Sequence, residues 1–60
     1  MVYKVVKVYG TDGHKVEREI INVAKVKIAG GFVTFYNDDK NVIASMSKDG
    51  ILYYELISLG

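Results

Sequence analysis

The sequence predicts an all-β domain, either a small SH3-like barrel or a strongly bent antiparallel sheet of five to six short strands. Three observations lead there. Runs rich in valine, isoleucine and aromatic residues are separated by Gly, Asp and Asn clusters that recur roughly every 10 to 18 residues. No proline interrupts any run, so every residue can donate to a ladder. Several runs also alternate with the period of two that a pleated strand requires.

Val2 to Tyr9 is the first strand. Its Lys4 and Lys7 fall on opposite parities, so neither face is uniformly apolar. A bulge near Val5 and Val6 would reconcile them, turning Val6 and Val8 inward and both lysines toward water. Gly10-Thr11-Asp12-Gly13 is a turn. Residues 14–21 and 23–28 read as two strands joined by a tight bend at Asn22. The spacing of Val16, Ile20 and Val23 offers a short helix over 16–23 as the alternative, capped by Thr11 or Asp12.

Ala29-Gly30-Gly31 is the next turn. Phe32 to Tyr36 and Val42 to Ser47 then form a hairpin around Asn37-Asp38-Asp39-Lys40-Asn41. Val33 and Phe35 share one face of the first arm; Val42, Ala44 and Met46 share one face of the second. Residues 47–50 make a tight turn of 3₁₀ type. Ile51 to Ser58 is the last strand, apolar on both faces except at Glu55. Such a strand is either central and covered or part of an interface.

Sixty residues make one domain, spanning 1–60, close to the smallest that folds alone. A hydrophobic content of 50% is high for so little interior, so apolar side chains must lie outside or against a second copy. Eight Lys/Arg against seven Asp/Glu leave a charge of +1, too little to pull the chain toward a polyanion or a membrane. There is no cysteine, which excludes disulfides and thiolate metal sites. The start of the chain, with lysines inside its apolar run, lacks the order of regions of a signal peptide. The apolar runs are too short for a membrane helix, and a cytoplasmic location is expected.

The stretches 16–20, Gly30-Gly31, Val33-Thr34-Phe35-Tyr36 before an acidic turn, and Ser47-Lys48-Asp49 follow one another in an order that resembles the small SH3-like chromatin proteins of crenarchaea, the seven-kilodalton class. The resemblance covers about half the chain and implies the barrel fold. The chain departs from that class in being nearly neutral, in lacking tryptophan and in closing on a strand pattern rather than a helix. No binding residue is carried over.

Candidate chemistry is sparse. His14 is the only histidine, beside a turn and without cysteine partners, and reads as an exposed loop residue. Asn37 to Asn41 is too short for a calcium loop and reads as a hairpin turn. Gly30-Gly31 lacks the Lys-Ser/Thr and helix of a phosphate loop. Glu17 and Glu19 share a parity, but so small a barrel has no room for a pocket that would tune them. Neither a catalytic set nor a cofactor is expected.

A contact surface remains. Lys4, Lys7, Lys25 and Lys27 are expected outward, with Phe32, Tyr36 and Tyr53 on the parity opposite the core. These residues suit a protein partner, most simply a second copy, or a nucleic acid whose bases stack while lysines meet phosphate. The low net charge favours the homo-oligomeric protein contact.

Overall fold

The computed structural model describes residues 1–9 and 11–59. The first turn is described from Thr11 to Gly13, and its Gly10 lies outside the described residues. Six strands follow: β1 (Val2–Tyr9), β2 (His14–Ile20), β3 (Lys25–Ala29), β4 (Phe32–Tyr36), β5 (Val42–Ser47) and β6 (Ile51–Ser58). They build two three-stranded antiparallel sheets, ordered β2-β1-β6 and β3-β4-β5. The fold is all-β, and its two small antiparallel sheets are compatible with a bent sheet or a small barrel. The chain closes on a strand, as its alternation predicts.

The bend between the sheets falls at Asn22, whose φ is +61°. Asparagine tolerates this left-handed region better than other side chains, which is why a segment with helical spacing breaks here instead. The residues after the bend are strapped to both sheets. Val23 and Met1 exchange backbone hydrogen bonds, each 2.9 Å, and the Ala24 N–H donates to the Tyr36 carbonyl at 2.7 Å. A second strap runs from the Lys48 N–H to the Gly31 carbonyl at 2.9 Å. Lys48 opens the single 3₁₀ turn, Lys48–Gly50, capped by Ser47, whose hydroxyl accepts from the Asp49 N–H.

The core lies between the sheets. Val5 and Ile20 enter from the first; Val33, Phe35, Ala44 and Met46 enter from the second; Val23 fills the corner. Three rings span the layers. Tyr3 of β1, Phe35 of β4 and Tyr54 of β6 stand 5.6 to 6.2 Å apart between centroids, with Phe35 and Tyr54 edge to face. These are the tilted geometries that the aromatic quadrupole favours. The Cα extents of 37 × 25 × 12 Å describe a slab, its thin direction set by two stacked sheets.

Two expectations of facing need correction. The β1–β2 ladder runs unbroken from Tyr3–Ile20 to Tyr9–His14, so β1 itself has no bulge. The register shifts instead against β6, where Leu52 and Ile57 are the extra residues. Tyr3 and Val5 therefore face the core, Val6 and Val8 lie on the outer face with Lys4, and Lys7 has the core-side parity. The second correction is at Val42. A shift between Phe35 and Tyr36 makes Ile43 the extra residue of β5, so Val42 leaves the face of Ala44 and Met46 and is exposed.

Candidate functional site

The seven side chains singled out by the sequence divide between two surfaces. Lys4 and Tyr53 lie on the outer face of β2-β1-β6, two positions apart along that face. Lys7 does not join them. Lys25, Lys27, Phe32 and Tyr36 all share the outer face of β3-β4-β5, because Lys25 pairs with Tyr36, Lys27 with Thr34, and Ala29 with Phe32.

On the first face Lys4 is engaged within the protein. Its ammonium is 3.3 Å from Glu55 on β6 and 3.9 Å from Glu17 on β2, so it ties both neighbouring strands to β1. The hydrogen bond to Glu55, and then the field of Glu17, raise its pKa above the ordinary lysine value. Val6 is buried on this same face, flanked by Glu17 and Tyr53 in the ladder. Lys15, Glu17 and Glu19 complete the row, so carboxylates outnumber cations here. This surface is self-satisfied and mildly acidic.

The second face is its electrical opposite. Lys25 and Lys27 line a cleft of about 210 Å³ with Tyr36, Asn37 and Lys40. Lys25, Lys27 and Lys40 have no carboxylate partner among the described residues. Further along the face, Thr34 and Ser45 hydroxyls share a hydrogen bond at 2.9 Å, and Phe32 is half exposed.

The turn after β4 sets this polarity. Asn37 Oδ1 accepts from the N–H groups of Asp39 and Asn41 at 2.9 and 3.0 Å, and the Lys40 N–H donates to the Asn37 carbonyl at 3.1 Å. Thus locked, the turn sends Lys40 toward Lys25 and Lys27, while Asp38 and Asp39 line a separate cleft with Met1, Asn22 and Val23.

No protein-family model, curated protein or solved structure matches the chain.

A third feature concerns the last strand, expected to be either central and covered or part of an interface. β6 is an edge strand, not a central one. It exposes Leu52, Tyr53, Leu56 and Ile57 by 52, 45, 45 and 44%. Its first half also borders an open cleft of about 350 Å³ between the sheets, shared with Ile28 and Val33 and with Lys48 at its rim. Among the described residues no cluster of three or more His, Cys, Asp or Glu is placed to hold a metal ion. His14 begins β2, exposed, its N–H held by Asp12 Oδ1 at 3.0 Å.

Lys40, Leu52, Leu56 and Ile57 are absent from the contact set expected from sequence, although an interface was one of the two places expected for the strand that carries the last three. A lysine among Asn and Asp looks like turn filler, and periodicity does not tell an edge strand from a central one.

Proposed function

We propose that this chain is a non-enzymatic assembly module that pairs with a second copy of itself through β6. The observation that supports it is the mismatch between the composition and the position of this strand. β6 is apolar on both faces, the signature of a strand covered on both sides, yet it stands at a sheet edge with four large apolar side chains about half exposed. A neighbouring strand would make it central. The second copy is the occupant because it brings an edge of identical character and length.

Geometry narrows the register. In an antiparallel pair, residues directly opposite must share a face. A twofold centred on Glu55 would set two glutamates directly opposite each other, their Cβ atoms about 5 Å apart, and like charges so placed are unfavourable. Centring on Tyr54 sets Glu55 opposite Tyr53 of the second copy instead. The extra residues at Leu52 and Ile57 leave only 53–56 regular, so the ladder is short and apolar contact carries most of the affinity. A standard interface takes about 800 Å² from each partner, about a fifth of the 4198 Å² accessible surface of one chain.

Sedimentation velocity from low to high micromolar concentration tests the reading. The wild type should pass from monomer to dimer. Ile57→Lys should weaken that association at least about tenfold, ~1.4 kcal/mol, with an unchanged circular dichroism spectrum. A wild type that stays monomeric throughout would sink the proposal.

A further inference from the structure

We propose that the cleft between β3, β4 and the 37–41 turn binds the phosphate of a nucleotide, with Lys25, Lys27 and Lys40 as the anion cradle and Tyr36 as the aromatic wall. The inference goes beyond self-assembly and uses the opposite sheet.

Three observations carry it. The first is charge placement. Three lysines line one cleft of about 210 Å³ and have no carboxylate partner among the described residues. An overall charge of +1 conceals this, because five of the seven acidic residues lie on the other sheet, as Glu17, Glu19 and Glu55, or line the separate cleft beside Met1, as Asp38 and Asp39. Like charges gathered without counterions attract an anion from solution.

The second is the backbone at Lys40. Its φ is +66°, at the closing position of a turn where glycine is the unstrained choice. A lysine there costs conformational energy that a glycine would not, and in exchange the turn delivers its cation to the cleft. Local strain of this kind is commonly found where a site requires it.

The third is the chemistry around the cations. Tyr36 supplies a phenol and a ring, and Asn37 supplies an amide, on the same rim. A bare carboxylate would use the lysines alone. A nucleotide uses the lysines through phosphate and the ring through its base. Phe32 lies on the same face as Tyr36, four residues along β4, or about 13 Å. That separation suits a strand of several nucleotides as well as a single one, so the phosphate has two possible sources.

The test uses the intact chain at low salt with two probes, ADP and a fluorescently labelled single-stranded oligothymidylate. Binding of ADP identifies a free nucleotide as the source; binding of the oligonucleotide alone identifies a phosphodiester strand. Either supports the site, provided the variants follow. Lys40→Gly removes a cation and relieves the positive φ. It should therefore leave the melting temperature equal or higher while weakening binding severalfold and reducing the salt slope for the oligonucleotide by about 1. Lys27→Glu should abolish binding, and Ile57→Lys should leave it intact. The proposal is overturned if neither probe binds, if Lys40→Gly binds undiminished, or if polyglutamate binds as well as the oligonucleotide.

Discussion

Single positions in this fold are decided by backbone conformation as much as by burial. Among the described residues, Asn22 and Lys40 are the two other than glycine at positive φ, and they hold it for different reasons. Asn22 turns the chain from one sheet to the other, where its short amide side chain makes the left-handed region cheap. Asn22→Val should cost about 1–2 kcal/mol, read by thermal or denaturant unfolding, whereas Asn22→Gly should be close to neutral. A valine variant as stable as the wild type would show that the bend is not held at this φ. Lys40 has no such excuse of chemistry, so the same logic makes its glycine variant the one surface substitution expected to gain stability.

At the scale of elements, β1 is the hub. It is central in its sheet, and Lys4 fastens it to β2 and β6 at once. The raised pKa of Lys4 fixes the sign of the pH effect: its stabilising contribution is complete below the ordinary lysine value of 10.5 and is lost as pH rises through the folded-state value. Melting curves of wild type and Lys4→Met, followed from neutral to strongly alkaline pH, should therefore converge at the alkaline end; curves that stay parallel would remove the role. Tyr53 also acts on Lys4, so both proteins are compared in a Tyr53→Phe background, where ionisation of the remaining tyrosines is common to the two. The strands themselves were legible in the sequence, with 32–36, 42–47 and 51–58 read to the residue, because glycine and asparagine clusters bound clean β-rich runs. The facing of β1 was not. Lysines on both parities look the same whether a bulge rotates the strand or the strand has one core face and one face closed by an ion pair. The decisive bulges sit in β6, on a strand about fifty residues away, and no local pattern reports them.

Seen whole, the molecule separates its properties by sheet. One sheet carries the exposed apolar edge and an acidic outer face; the other carries a basic outer face with two aromatics. Composition averages these to near neutrality, so charge counts gave no hint of the lysine cluster that the topology assembles. Of the seven contact residues expected from sequence, the four on β3-β4-β5 stand together and the three on the first sheet do not form one site with them, since strand pairing rather than spacing decides which lysines meet. The same topology also governs how the protein forms. The sheet β3-β4-β5 is a meander of sequence neighbours, while β1 must find β6 across nearly the whole chain, and closing so long a loop costs entropy before its contacts return anything. The meander should therefore nucleate folding and the β1–β6 ladder should close last. In stopped-flow kinetics, Val33→Ala should mainly slow refolding and Tyr54→Ala should mainly speed unfolding; the reverse pattern would place the nucleus in the long-range ladder. Until that ladder closes, the apolar strand β6 is unpaired on both edges, so the interval before closure is when the chain is most exposed to wrong partners, and its folding yield should fall with concentration.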